Sequence, residues 1–249
     1  MFLVFQEPQA IAQYVSERLV NLIKTKPHAV LGLATGSTME PVYQQFCADA
    51  KEQGLDVSQL TSFNLDEYIG LSYEHPQSYH YYMNHYLFDH LSFAKQKTFL
   101  PDGLPENVEA HCQQYSQKIA DYGGIDLQLL GVGSNGHIGF NEPGTSFNSR
   151  THVVALCENT RIDNGRFFES MDEVPTHAIT MGMQDIAEAK QIVFIATGDK
   201  KAQVMLDLYE SEVDEQMPAS MLKDHPNALF IIDKKAAALL PAAACEFID

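Results

Sequence analysis

The chain has 249 residues, of which 45% are hydrophobic and 20% charged, a composition that suits one globular domain and excludes disorder. Its formal net charge of −17 repels nucleic acid and anionic membranes, so we predict neither as a partner. The four cysteines form no C-x-x-C pair. No apolar run reaches the roughly 20 residues that cross a bilayer. The N-terminal segment MFLVFQEPQA lacks the basic start of a signal peptide. We therefore expect a soluble, cytoplasmic protein with reduced thiols and no metal.

Apolar runs typical of buried strands alternate along the chain with amphipathic segments typical of helices. In the first helical segment, Ile11, Val15, Leu19 and Leu22 recur at three- and four-residue spacing. In chain order, these patterns predict helix 9–25, strand 30–35, helix 39–52, strand 60–65, helix 76–91, helix 106–121, strand 127–133, strand 177–182, strand 191–198, helix 199–210 and strand 228–233.

Nearly continuous apolar strands separated by helices indicate an α/β fold, an open and mostly parallel sheet with helices on both faces in a Rossmann-like arrangement. We predict a single domain over residues 1–249. The polar stretch 144–176 has weak periodicity, and we interpret it as a lid. Ligands of such sheets bind beyond the carboxyl ends of the strands. The segments that follow predicted strands and carry unusual residues are 35–38, 66–67, 131–142 and 197–201.

The first of these segments, Thr35-Gly36-Ser37-Thr38, lies between a strand and a helix. Glycine lets the backbone approach a ligand, the hydroxyls are hydrogen-bond donors, and the free N–H groups of the helix favour an anion. The segment matches neither the P-loop nor the dinucleotide-binding pattern. A plain turn in which Ser or Thr caps the helix would have the same letters, so both interpretations stay open.

A pair of acids, Asp66 and Glu67, ends the next strand in the sequence FNLDEY. A carboxylate at the tip of a strand is well placed to take a proton from a bound substrate. An ordinary Asp is a weak base, so this role requires partial desolvation and a substrate with an acidified C–H. The alternative is a helix cap or a solvent-exposed pair.

The most informative segment is GVGSNGHIGFNEP at 131–143. Its glycines indicate a loop that brings backbone against a ligand, and it also contains Asn135, His137 and Glu142. Histidine titrates near neutral pH, and a neighbouring carboxylate can orient it or tune its basicity. Three such side chains in so short a loop predict a catalytic group.

Four histidines recur every five residues, at positions 75, 80, 85 and 90. Successive members point about 140° apart on a helix, so they cannot form one ligand face. We interpret them as packing and surface residues.

A phosphate in so acidic a protein needs local positive charge, for which arginine offers a planar fork and lysine a point charge. Arg166 in the predicted lid and Lys201 after a strand are the best placed. The full set of candidates is Arg150, Arg161, Arg166, Lys200 and Lys201.

Taken together, these segments resemble the glucosamine-6-phosphate deaminase (isomerase) family. The matching pieces occur in family order between about residues 30 and 235: LGLATGST, SFNLDEYIGLSYEHPQSY, GVGSNGHIGFNEPGTSFNSRT, NTRIDNGRFF and ATGDKKA. The pairing of F-N-x-D-E-Y with G-V-G-x-[ND]-G-H-I-x-F-N-E-P is highly specific.

The resemblance implies that D-glucosamine 6-phosphate and water give D-fructose 6-phosphate and ammonium, with no cofactor. It implies that Asp66 is the proton shuttle and His137 the ring-opening acid and base, supported by Glu142 and Asn135. The family has Asp or Asn at the position of Asn135, and the amide leaves less negative charge beside the imidazole. The implied phosphate contacts are Thr35, Gly36, Ser37, Thr38, Arg166 and Lys201.

One departure concerns regulation and assembly. Regulated hexameric members have basic residues after the S-R-T segment and a longer C-terminal tail, whereas this chain has His152 and Val154. We therefore expect no activation by N-acetylglucosamine 6-phosphate, and a monomer or a small homo-oligomer.

Three alternatives remain open from the sequence. A 6-phosphogluconolactonase-type hydrolase has a similar glycine-rich loop but needs no proton shuttle at C2. A non-catalytic sugar-phosphate sensor is disfavoured by the presence of all the expected catalytic side chains. A preference for galactosamine 6-phosphate is the third, since no identified residue reads the C4 hydroxyl.

Overall fold

The structure, a computed structural model, describes residues 1–165, 168 and 170–248, which form two β-sheets and the helices around them. The strands are β1 (Phe2–Phe5), β2 (Val30–Leu33), β3 (Thr61–Asn64), β4 (Asp66–Tyr68), β5 (Thr98–Phe99), β6 (Leu127–Leu130), β7 (His152–Ala155), β8 (His177–Thr180), β9 (Ile192–Ala196), β10 (Ala228–Asp233) and β11 (Cys245–Phe247). The α-helices are α1 (Pro8–Thr25), α2 (Glu40–Glu52), α3 (Tyr79–Tyr86), α4 (Val108–Asp121), α5 (Glu158–Gly165), α6 (Met183–Ala187) and α7 (Ala202–Glu210).

The main sheet has eight strands in the order β11-β1-β10-β9-β6-β2-β3-β5, and its neighbours pair in parallel. This arrangement confirms the predicted open α/β sheet. From β2 the chain runs outward to β3 and β5, then returns to β6 on the other side of β2 and continues to β9 and β10. The strand order therefore reverses between β2 and β6, where sheets of this kind form a ligand crevice.

Helix α1 illustrates why the amphipathic segments fold against this sheet. Pro8 lies in its first turn, where the missing N–H costs nothing. The predicted apolar positions Ile11, Val15 and Leu19 are buried, and Leu22 is half-buried against the core. The helix packs along α2 and contacts β10. Burial of each such side chain contributes about 1.5–3 kcal/mol to folding.

A second, three-stranded antiparallel sheet has the order β4-β8-β7. The strand predicted over 177–182 is present as β8, but it lies in this sheet and not among the parallel strands. Periodicity alone cannot distinguish these placements, because β8 is buried at three of its four positions, like a strand of the main sheet.

The polar stretch 144–176 contains regular structure that the sequence did not predict, namely β7 and α5. Strand β7 is half-buried without a clean alternation, so its sequence carries a weak strand signal. The interpretation of this stretch as a lid stays a prediction, as does the single domain.

The helix predicted over 76–91 is shorter in the structure. Ser78 caps α3 by accepting a hydrogen bond from Tyr81 N at 3.1 Å, and the α-helix ends at Tyr86. A separate 3-10 turn follows at Phe88–His90, because the extended φ of Leu87 interrupts the helix. In the described ranges, no helix is both long and apolar enough to span a membrane.

Candidate active site

Four loops at the carboxyl ends of adjacent strands border the crevice between β2 and β6. They follow β9, β6, β2 and β3, which are neighbours in that order. Parallel strands place their carboxyl ends at one edge of the sheet, so the four segments singled out from the sequence lie at the same edge.

The loop after β2 is shaped by Gly36, whose φ of 104° lies in the region that favours glycine. Its carbonyl accepts hydrogen bonds from Tyr82 Oη at 2.8 Å and from Met39 N at 2.9 Å. Met39 is the N-cap of α2 and makes no side-chain capping bond. The hydroxyls of Ser37 and Thr38 thus do not cap the helix, and the interpretation of this segment as a turn capped by Ser or Thr is wrong. The segment is a largely exposed loop at a helix N-terminus.

Asp66 is the first residue of β4 and is 7% exposed. Desolvation by burial, together with the adjacent Glu67 carboxylate, raises the pKa of Asp66 from 3.8 to about 8. A carboxylate with such a pKa is a far stronger base than an ordinary Asp. The desolvation that the sequence argument required is therefore present.

Glu67 has a structural role that the sequence left open. One carboxylate oxygen accepts from Tyr68 N and Tyr79 N at 2.9 and 3.0 Å, and the other accepts from His80 N at 3.0 Å and lies 3.0 Å from His80 Nδ1. Glu67 therefore holds the first turn of α3 beside Asp66. Two adjacent acids to which the sequence assigns no separate roles thus have different environments.

Asp66 is also brought against the loop that follows β6. It pairs with Thr180 across β4 and β8, and Thr180 Oγ1 accepts a 3.0 Å hydrogen bond from Phe140 N. A β-carbon on Gly139, two residues after His137, would lie 3.5 Å from Asp66 Oδ2. The carboxyl of Asp66 and the histidine-bearing loop therefore border the same space.

In that loop, Asn135, His137 and Glu142 form a hydrogen-bonded chain. Asn135 Oδ1 lies 2.7 Å from His137 Nδ1, and Asn135 Nδ2 donates to Glu142 Oε2 at 2.7 Å. Glu142 Oε2 also lies 3.6 Å from His137 Nδ1. The structure brings together the three side chains that the sequence singled out.

The hydrogen bonds among Asn135, His137 and Glu142 assign the tautomer of the histidine. Glu142 is an acceptor, so the Asn135 amide directs its NH2 toward it and its oxygen toward His137. His137 Nδ1 must then carry the proton. The neutral imidazole is left with a lone pair on Nε2, and this atom can accept a proton from a ligand.

Glycine is required where the His137 ring packs on its own loop. A β-carbon on Gly133 would lie 2.1–2.3 Å from ring atoms of His137. Backbone hydrogen bonds from Gly133 N to His137 O (2.9 Å) and from Gly136 N to Gly133 O (3.2 Å) fix the turn. The imidazole is thus held in place by both its hydrogen bonds and the close backbone.

Lys201 joins this site from the loop after β9. Its Nζ donates a 2.7 Å hydrogen bond to Val132 O at the start of the histidine-bearing loop. Gly198 turns the backbone with a φ of 91°, and its N–H donates to the Asp233 carboxylate. The ammonium group therefore lies at the start of the histidine-bearing loop, and its predicted phosphate contact stays a prediction.

The other basic candidates are engaged elsewhere or not described. Arg150 forms ion pairs with Asp185 and Glu188, and Arg161 donates to backbone carbonyls of the 171–174 turn. Lys200 is exposed. Arg166 lies outside the described residues, so its predicted phosphate contact stays a prediction.

The four regularly spaced histidines have separate partners, in keeping with packing roles. The contacts are His75 with Gln77, His80 with Glu67, His85 with the Tyr81 ring, and His90 with the carbonyl of His85. No group of three or more His, Cys, Asp or Glu side chains among the described residues could hold a metal ion.

A family model described as glucosamine-6-phosphate isomerases/6-phosphogluconolactonase matches residues 6–231, which is most of the chain. The chain belongs to this family. The family model does not itself separate its two named activities.

Relatives within the family are similar to the chain over nearly its whole length. The glucosamine-6-phosphate deaminase of Geobacillus sp. (strain WCH70) is 48% identical and covers 94% of this chain and 93% of its own length. That of Shouchella clausii (strain KSM-K16) is 49% identical and covers 93% and 94%. The family resemblance predicted from the motifs is confirmed.

Solved structures of the family separate into near and distant neighbours. A monomeric glucosamine-6-phosphate deaminase aligns with a TM-score of 0.94 at 44% identity, covering 96% of this chain and 100% of its own. The 6-phosphogluconolactonase from Thermotoga maritima aligns with a TM-score of 0.74 at 18% identity, covering 94% and 99%. The second likeness is one of fold.

Proposed function

We propose that the chain is a glucosamine-6-phosphate deaminase, which converts D-glucosamine 6-phosphate and water to D-fructose 6-phosphate and ammonium. One observation carries the proposal. The buried carboxyl of Asp66, with its pKa raised to about 8, borders the loop that presents His137. A proton shuttle at carbon needs such a base, whereas hydrolysis of a lactone does not.

In the proposed complex, the phosphate binds at the loop of Thr35, Gly36, Ser37 and Thr38 and at Lys201. The N-terminal N–H groups of α2 and the ammonium supply the positive potential that the acidic surface lacks. Arg166 is a further proposed phosphate ligand. Binding at this end directs the sugar carbons toward Asp66 and His137.

Ring opening is the first chemical step. His137 Nε2 accepts the proton of the anomeric hydroxyl and returns a proton to the ring oxygen as the C1–O bond to that oxygen breaks. Asn135 and Glu142 stabilise the imidazolium that forms between the two transfers. The product is an open-chain aldehyde.

The aldehyde acidifies the hydrogen on C2, and Asp66 removes it. The electron pair forms a C1–C2 double bond while the aldehyde oxygen takes a proton from the ammonium group on C2, which gives an enolamine. Asp66 then delivers its proton to C1, and the nitrogen lone pair forms a double bond to C2, which gives an iminium ion. Water adds to C2, the C–N bond breaks, and ammonia leaves as ammonium with the ketose phosphate as the second product.

The proposal is tested by incubating the protein with glucosamine 6-phosphate and assaying ammonium and fructose 6-phosphate together. We expect equal amounts of the two products. Asp66→Asn should reduce the rate at least about 10³-fold while substrate still binds, because the amide cannot accept the C2 proton. Asp56→Asn, an exposed carboxylate at the amino end of β3, is the matched control.

Two results would contradict this function. Hydrolysis of 6-phosphogluconolactone without ammonium release would favour the hydrolase, and binding of the sugar phosphate without turnover would favour a sensor. The same assay with galactosamine 6-phosphate measures the preference at C4.

We also propose that the protein acts as a monomer and is not activated by N-acetylglucosamine 6-phosphate. The near solved relative is monomeric. His152 and Val154 stand on β7, where His152 Nδ1 is 2.8 Å from Arg150 O. Light scattering gives the mass in solution, and sigmoidal kinetics relieved by the acetylated sugar would contradict the proposal.

A further inference from the structure

The Glu142 carboxylate is contacted from two sides, and one of them was not visible in the sequence. Oε2 accepts from Asn135 within the same loop. Oε1 accepts a 3.3 Å hydrogen bond from Cys157 Sγ, which belongs to a distant segment of the chain. The two oxygens of the carboxylate therefore have different anchors.

The backbone around Cys157 is itself fixed. Cys157 follows β7, and the preceding Leu156 N–H donates to Thr176 O at 2.9 Å. The Cys157 carbonyl accepts from Arg161 N at 3.0 Å, in the first turn of α5. Strand β7 pairs with β8, whose other neighbour is β4 with Asp66 at its start. The thiol thus connects Glu142 to the sheet that carries Asp66.

We propose that Cys157 is a positioning residue for the reaction, which acts by holding the Glu142 carboxylate in the orientation that supports His137. The inference rests on the proposed deaminase function. A carboxylate fixed at one oxygen can rotate about its last side-chain bond, whereas one fixed at both oxygens keeps Oε2 directed toward Asn135. The thiol is a weak donor, so its effect on the rate is modest.

The first experiment compares the steady-state kinetics of Cys157→Ala and Cys157→Ser with the wild type. We expect Cys157→Ala to lower kcat about 3- to 10-fold with KM within about 2-fold, because the imidazolium is stabilised during the reaction and not on binding. Cys157→Ser keeps a donor and should recover most of kcat. Melting temperatures of both variants should stay close to that of the wild type.

Cys245→Ala is the matched control, because Cys245 is a cysteine of the same half-buried class as Cys157 but lies in β11 at the far edge of the main sheet. It should leave kcat and KM unchanged. A Cys157→Ala enzyme with wild-type kcat would overturn the proposal. So would a Cys157→Ser enzyme as slow as Cys157→Ala.

A second experiment tests the contact without relying on turnover. The rate at which iodoacetamide alkylates each cysteine is followed by mass spectrometry in the wild type and in Glu142→Gln. We expect Cys157 to react several-fold faster in the variant, because a neutral amide is a weaker acceptor than the carboxylate and no longer holds the thiol against residue 142, while the rate at Cys245 stays the same. Equal rates at Cys157 would overturn the contact.

The outcomes separate this inference from the function on which it rests. A wild type that releases no ammonium contradicts the deaminase proposal, and the role of Cys157 with it. An active wild type with no effect of Cys157→Ala contradicts the role of Cys157 alone.

Discussion

Asn135 donates a 2.7 Å hydrogen bond from its side-chain nitrogen to Glu142 Oε2, and this bond fixes which way the amide faces. The amide oxygen is thereby directed at His137 Nδ1, 2.7 Å away. One neutral side chain thus passes the effect of a carboxylate to the imidazole without placing a second negative charge in the loop.

The first prediction follows from this bridge. Asn135→Leu keeps the volume but removes both hydrogen bonds, so we expect kcat for ammonium release to fall about 100-fold with little change in KM. Asn135→Asp keeps an acceptor for His137 but loses the donor to Glu142. Its kcat should lie between that of the wild type and that of Asn135→Leu. Wild-type kcat in Asn135→Leu would show that the bridge does not contribute.

The second prediction concerns the pH dependence of the rate. The pKa of Asp66 is raised to about 8, and the base must be ionised to take the C2 proton. The ratio kcat/KM reports the pKa values of the free enzyme. We therefore expect it to rise with pH through a midpoint near 8 and to level off above that pH. Glu67→Gln removes the second cause of the shift and should move that midpoint to lower pH. A midpoint near 4 in the wild type would contradict the assignment.

The third prediction concerns stability. The pKa of Asp66 is higher in the folded protein than its ordinary value of 3.8, so its contribution to stability is present at low pH and is lost as pH rises from about 4 to 8. Asp66→Asn removes this dependence. Urea unfolding should show the variant gaining over the wild type by up to about 1.4 kcal/mol per pH unit in this window. An advantage that stays constant between pH 5 and pH 8 would contradict it.

The fourth prediction uses two glycines of the same loop. A β-carbon on Gly133 would overlap the His137 ring, whereas one on Gly131 would meet nothing within 4 Å. We expect Gly133→Ala to displace the imidazole and lower kcat at least about 10-fold, since small errors in placement strongly reduce catalysis. Gly131→Ala, the same change two residues earlier, should stay near wild type. Equal kinetics in both variants would contradict the packing argument.

The fifth prediction tests the phosphate contact. Lys201 is directed to the crevice by its bond to Val132 O, whereas the adjacent Lys200 is exposed. We expect Lys201→Gln to raise KM about 10-fold or more, because it removes a positive charge from the phosphate site. Lys200→Gln changes the net charge equally and should alter KM less than about 2-fold. Equal effects would point to long-range electrostatics in place of a contact.

Much of the fold could be predicted from the sequence, because long apolar strands and amphipathic helices carry their periodicity locally. The patterns predict the strand 191–198 and the helix 9–25 within a few residues of their observed ends. They do not predict the short strands β5 and β11, since two or three residues carry no periodic signal. The pattern predicts strand β8 but not the sheet to which it belongs, because a buried strand has the same apolar sequence in a parallel and in an antiparallel sheet.

The candidate site likewise has features that the sequence predicts and features that only the tertiary structure shows. The sequence alone determined that Asp66, Asn135, His137 and Glu142 follow strands, because the local pattern marks each strand end. The different roles of Asp66 and Glu67, and the contact of Cys157 with Glu142, were decided by the tertiary structure. Burial and through-space contacts depend on which distant segments pack together. No local stretch of sequence encodes that.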